Sequence, residues 1–247
     1  MGTEKRIGAK VTVLRAWWDR VWLALAWRYL SHSLMLGLAL LNELRPAPQL
    51  PDTVLSLIPY VAWVDRHNYT IWLVLYFPLA LWLWRRDRDA FVHFLYVGGL
   101  LSLVRGLCIG LTGLGPVHLD DVNVGLSYAE LWQAWLRLVN PLDALMSDAP
   151  HVYLTKDLFF SGHTATTFLL WLYCRKEPGL GLAALLAHVV VVASVFFAHL
   201  HYTIDVVGAW AITGCVFVLA RRIGYSSSRS RVAMAGPDES GNVEVAG

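Results

Sequence analysis

Six apolar stretches, most of them about as long as a bilayer is thick, dominate this chain and restrict what it can fold into. They are residues 21–41, 69–84, 91–114, 158–174, 179–198 and 203–220. A spanning helix needs about 20 mostly apolar residues, with ~17 as the lower limit. Soluble domains carry roughly 25% charged residues. Here the fraction is 15%, with 57% hydrophobic residues, too few charges to cover a water-facing surface. The expectation is an all-α membrane protein, a six-transmembrane-helix bundle over residues 21–222. A net charge of +2 points away from nucleic acid. The three cysteines, Cys108, Cys174 and Cys215, fall inside apolar stretches and do not form a disulfide framework.

The flanks of the bundle read differently. Residues 1–20 form a basic segment, and the apolar run behind it is too long for a signal peptide and lacks a small-residue cleavage site. It reads as an uncleaved first helix. Residues 223–247 are rich in Ser, Gly and charge and are expected to be a disordered cytoplasmic tail. Between the third and fourth stretches lies a long outer loop, 115–157. Within it, Leu131, Trp132, Trp135, Leu136 and Val139 make a helical stripe expected to lie at the membrane interface.

Lys and Arg set the orientation independently. With the N-terminus cytoplasmic, the inner segments hold Lys5, Arg6, Lys10, Arg15, Arg20, Arg85, Arg86, Arg88, Arg175, Lys176, Arg221, Arg222, Arg229 and Arg231. The outer segments hold only Arg45, Arg66, Arg137 and Lys156. Fourteen against four, in strict alternation, predicts two cytoplasmic termini. Arg outnumbers Lys, and with much Ala, Leu, Gly and Trp the composition suggests a bacterial inner membrane.

Two short segments then arrive at the same outer face. Asp157-Leu-Phe-Phe-Ser161-Gly162-His163-Thr164 opens the fourth stretch, and His199-Leu-His201-Tyr202-Thr-Ile-Asp205 opens the sixth. His201 and Asp205 are four residues apart, neighbours on a helix face. A carboxylate there fixes the imidazole tautomer and leaves the other nitrogen to attack phosphorus. His163, from another helix, can protonate a leaving oxygen and deprotonate an acceptor. Ser161 and Gly162 supply an N-cap and open backbone, a phosphate cradle. Tyr202 joins the substrate-binding candidates. Arg105, inside the third stretch, is expected to clamp phosphate or to pair with a site acid, because a buried guanidinium is rarely idle. Asp157 is the candidate to orient His163. His199 and His201 also have His-x-His metal spacing, but no second ligand cluster accompanies them, so neither metal nor cofactor is expected.

The Ser-Gly-His and His-x-x-x-Asp pair resembles the type 2 phosphatidic acid phosphatase superfamily. Phe160 stands where a Pro usually precedes Ser-Gly-His, and the Lys-x6-Arg-Pro motif is missing. A closer resemblance is to sphingomyelin synthases, carried by four stretches: 50–61, Arg105-Gly-Leu-Cys-Ile109 running to Thr112, 157–164, and 198–205. Leu200 sits where those enzymes carry an acid. The resemblance implies His201 as nucleophile, His163 as acid and base, and a phosphohistidine intermediate. It also implies a glycerophospholipid donor and a ceramide acceptor. With water as acceptor the same residues would make a lipid phosphatase or phospholipase C. A transporter or assembly factor would need neither histidine at one face.

Overall fold

The computed structural model describes residues 2–117, 123, 125–140 and 154–234, with side chains described between 18 and 222. Among the described residues it has seven α-helices and no strand. These are α1 (Gly2–Glu43), α2 (Ala62–Arg86), α3 (Arg88–Thr112), α4 (Tyr128–Val139), α5 (Gly162–Cys174), α6 (Pro178–Phe197) and α7 (Thr203–Met234), with a 3-10 turn at Leu55–Leu57.

Local chemistry sets the boundaries. Asp87 alone separates α2 from α3, and its carboxylate caps α3 by accepting the Ala90 N–H at 2.9 Å. α3 ends on Gly113 in the left-handed region, at φ 58°, where a side chain would be strained. Pro178 begins α6, where its missing N–H is harmless. Ser127 and Glu130 form a reciprocal capping box on α4.

α5 sits at the centre, against α2, α3, α6 and α7, while α1 lies along α3 and α2 along α6. The main core gathers Phe94, Leu101, Phe160, Leu169, Leu170, Leu180 and Ala209. α1 and α3 come close where Gly106 faces Met35 and Leu38. A Cβ there would stand 2.9 Å from Leu38 Cδ1 and 3.3 Å from the Met35 Cα.

Four helices are long and apolar enough to cross a membrane: Trp18–Glu43, Arg88–Thr112, Pro178–Phe197 and Thr203–Arg222. The two other expected crossings differ for separate reasons. α2 extends back through Asp65 and Arg66, and those charges together with Arg85 and Arg86 lower its apolar average. α5 has only 13 residues, because residues 158–161 are spent outside the helix. It is about 20 Å long against a hydrocarbon core of about 30 Å.

The flanks of the bundle are helical in part. The basic N-terminal segment is helical from Gly2 and continuous with α1. Helix also continues to Met234, through the first part of the tail expected to be disordered; residues 235–247 lie outside the described residues. α4 runs antiparallel along α1. Its Trp135 Nε1 donates to the Ser33 carbonyl at 2.8 Å, and the Tyr29 hydroxyl donates to the Val139 carbonyl at 3.0 Å. Tyr29 lies fourteen residues before Glu43, about 20 Å along α1. The last turn of α4 is therefore beside the middle of an apolar helix. The physical reason is in its faces: Leu131, Ala134 and Leu138 bury against Met35, Leu36 and Ala39, while Trp132 and Leu136 point away.

Candidate active site

The two histidine motifs meet through their backbones. The Ser161 N–H donates to the Asp205 carbonyl at 3.1 Å, so the start of α5 is bonded to the start of α7. Gly208, one turn into α7, is where the Phe159 ring packs; a Cβ there would fall 2.7 Å from that ring. Ser161 caps α5 as the sequence led one to expect, its hydroxyl accepting the Thr164 N–H at 3.4 Å.

His201 and Asp205 are both buried, at 5% and 0% exposure, and His201 Nδ1 is 3.4 Å from Asp205 Oδ2. They are not neighbours along a helix face, however, because α7 begins only at Thr203. His201 stands in the turn before it, and Asp205 folds back as a cap: the same Oδ2 accepts the Tyr202 N–H at 2.9 Å. One carboxylate thus fixes both the helix start and the histidine. Its Oδ1 is buried with no hydrogen-bond partner among the described residues. His163 lies in the first turn of α5, with the Trp72 ring edge-on to it at 5.5 Å between centroids. Trp72 is held there by donating from Nε1 to Thr166 Oγ1 at 3.0 Å. No tryptophan was expected beside the site; nothing in the sequence sets Trp72 apart from the other eleven.

Arg105 lies against the start of α5. Its guanidinium pairs with Asp157 Oδ1 at 2.9 Å, with both side chains largely buried. Nε donates to the Phe160 carbonyl at 2.6 Å, and Nη2 to the Asp157 carbonyl at 3.1 Å. Arg105 therefore braces residues 157–162 from beneath. Gly162 permits this approach, since a Cβ there would be 3.2 Å from the Arg105 Cζ. Tyr202 is also turned inward. Its hydroxyl accepts the Leu50 N–H at 3.0 Å and donates to the Gly115 carbonyl at 3.1 Å, so this expected binding residue pins two loops.

Sequence reading missed the supports of the site. Asp52 accepts both the N–H and the hydroxyl of Thr203, at 2.5 and 2.9 Å, and so caps α7 from a distant loop. Burial alone would push the Asp52 carboxyl up. Hydrogen bonds from Leu55, Thr203 and Val54 outweigh it and hold the carboxyl below the ordinary range. Glu43, fully buried at the end of α1, accepts from the Lys156 N–H at 2.6 Å, from Thr155 Oγ1 at 2.6 Å and from Asn123 at 2.9 Å. Lys156, read as an outer-loop cation, is 1% exposed and donates from Nζ to the carbonyls of Glu43 and Arg45. This cluster clamps the residues directly before Asp157. His199, at φ 49°, directs Nε2 to the Ile58 carbonyl at 2.9 Å and stacks edge-on with Tyr60. Its role in the fold is to hold the 58–61 loop at the end of α6.

This geometry occupies the C-terminal part of the chain, and a family comparison finds the same part. Residues 156–222 match the PAP2 superfamily C-terminal model. The match begins one residue before Asp157 and ends within α7, so it encloses both histidine motifs. It supports the superfamily and a phosphoryl-transfer enzyme in the membrane. A search of curated proteins gave no match.

Proposed function

We propose that this protein transfers the phospho-head group of a glycerophospholipid, phosphocholine or phosphoethanolamine, to ceramide, in the manner of sphingomyelin synthases. The observation that carries this reading is the buried His201–Asp205 pair, tied by the Ser161–Asp205 backbone bond to the helix start that bears His163. With the Nδ1 proton directed at Asp205, Nε2 of His201 keeps its lone pair. Nε2 attacks phosphorus, the P–O bond to glycerol breaks, and His163 gives the departing alkoxide its proton to release diacylglycerol. His163, now neutral, takes the proton of the ceramide primary hydroxyl. That oxygen attacks the phosphohistidine, and the P–N bond breaks to return His201. The N-terminus of α5 supplies positive partial charge where negative charge grows on the phosphoryl oxygens. Asp157 and Arg105 act through the loop that they brace.

In this reading α2 and α5 also cross the bilayer, both termini are cytoplasmic and the site opens on the opposite face. The fourteen-to-four bias of basic residues supports that arrangement. The apolar residues Leu158, Phe159 and Phe160 lengthen the path of the short α5.

The test is to incubate purified protein with head-group-labelled phosphatidylcholine or phosphatidylethanolamine, with and without ceramide. Labelled sphingolipid formed only with ceramide is the expected result. Labelled phosphocholine or phosphoethanolamine released equally in both would make the protein a phospholipase C, and no turnover of any lipid would overturn the enzyme reading.

A further inference from the structure

α1 presents an inward stripe in which Val21, Ala24, Met35 and Ala39 are at most 4% exposed. Arg28 and His32 stand in the middle of that stripe, at helical spacing, yet both keep accessible surface. A side chain that stands between sealed neighbours and still keeps accessible surface is not fully packed by them. Arg28 is the anomaly within the stripe. It lies inside a helix apolar enough to cross a membrane, and among the described residues no carboxylate is within ion-pair distance of it. Its Nη1 donates to Ser102 on α3 at 2.9 Å, and its Nε rests over Gly98, 3.2 Å from where a Cβ would be. A guanidinium at this depth costs several kcal/mol unless something occupies it, and one serine hydroxyl uses one of its five donors.

Side-chain proximities connect this part of α1 with the candidate active site. Arg28 is within electrostatic range of Tyr76 on α2, Tyr76 stacks on Trp72 at 4.9 Å, and Trp72 meets His163. His32 lies between Arg28 and Arg105, within range of both. The level of Arg28 is set by Gly98, which faces Leu169 of α5, six residues beyond His163. That is about 9 Å along the helix. A phosphodiester held at His163 and His201 would place the next polar part of its lipid, the ester or amide linkage, one glycerol or sphingoid unit below. Carbonyl oxygens there need donors, and below them the lipid offers only hydrocarbon.

We infer that Arg28, with Ser102 and Tyr76 beside it, forms a subsite for the acyl-linkage carbonyls of the lipid whose head group lies at the two histidines. This inference rests on the lipid-transfer reading for its orientation. The Arg28 fork gives hydrogen bonds to the carbonyls, and the chains run on past it.

The test compares a phosphatidylcholine with two ester-linked chains against its dialkyl-ether counterpart, which lacks both carbonyls. Binding to the purified full-length protein in detergent is measured by competition with a fluorescent lipid. Hydrogen bonds to a charged donor predict that the wild type binds the ester at least about tenfold more tightly. In Arg28→Met, which keeps the length and removes the donors, the ester should fall to the affinity of the ether. In Arg28→Lys, should the methionine variant not fold, the preference should shrink. A wild type that binds both lipids equally overturns the subsite without need of any variant, as does a preference undiminished in Arg28→Met or Arg28→Lys. Turnover is followed on the same samples. An ester preference that depends on Arg28, without turnover, upholds the subsite and sinks the transfer reading; turnover without that preference does the reverse.

Discussion

Asp205 serves two neighbours with one oxygen, a backbone N–H at 2.9 Å and an imidazole at 3.4 Å. The second contact is long, as catalytic hydrogen bonds often are before substrate arrives. Asp205→Asn keeps the shape but offers a donor where His201 needs an acceptor. In the serine-protease triad the corresponding change costs about 10⁴-fold in kcat, and a loss of similar order is expected here in head-group release. His201→Ala should abolish release altogether. His163→Ala should lose roughly 10²–10⁴-fold in transfer to ceramide while still forming the covalent species. Acid-labile label trapped on the protein checks this: it should be found in His163→Ala and not in His201→Ala, and the opposite pattern would exchange the two roles. At this scale the sequence showed the two histidine motifs but not what holds them. Ser-Gly-His and His-x-x-x-Asp are local and so can be read. Glu43, Asp52 and Lys156 matter through partners 80 to 151 residues away, which no spacing reveals. Arg105 was visible as an oddity in an apolar run, but its partner was not. Because that pair is largely buried, Arg105→Met should destabilise by about 3–5 kcal/mol by stranding Asp157. Adding Asp157→Leu should recover thermal stability without recovering turnover.

Helix starts and ends carry the site, and they respond to pH through Asp52. Its folded carboxyl titrates below its unfolded value, so the cap it places on α7 is fully present above the unfolded range, near pH 4. The cap is lost as pH falls through the lower folded value. Asp52→Ala should therefore lower the midpoint of thermal unfolding at pH 7 by the equivalent of about 1 kcal/mol. The gap between variant and wild type should begin to narrow as pH falls below about 4 and close once pH is below the lower folded value, where wild-type Asp52 is itself protonated; a gap that stays constant with pH would refute the cap. α4 is the element whose apolar stripe could be read and whose packing partner could not. Its apolar stripe is real, but the small Ala134 and the neighbouring Leu131 and Leu138 choose α1, and leave Trp132 and Leu136 outward. A spin label at Leu136 should be relaxed by dissolved oxygen more than by a water-soluble nickel complex. The reverse would put this face of α4 in water.

Across the whole molecule, hydropathy located every long helix, because a bilayer demands a length of apolar chain that chance seldom supplies. It did less well at the ends. α2 begins seven residues earlier than its apolar run, since Asp65 is satisfied by the Tyr60 hydroxyl at 2.8 Å and need not stop the helix. α5 begins four residues later than its run, since the Arg105 brace holds residues 157–160 in a turn. Orientation can be tested at Ser127, an exposed loop residue. A cysteine placed there should react with an impermeant maleimide only from the non-cytoplasmic side; labelling from the cytoplasm alone would invert the bundle. One contact described above also bears on how the molecule is made. Asp52 and Leu50 lie in the first quarter of the chain, yet the groups they bind, at Thr203 and Tyr202, are at the start of α7 and just before it. A ribosome delivers the acceptors of these bonds long before the donors, or the donors before the acceptors, so both bonds wait for Tyr202 and Thr203 to be made. Until then the loop over residues 50–58 lacks its mooring, and the early part of the chain is not yet tied to the start of α7.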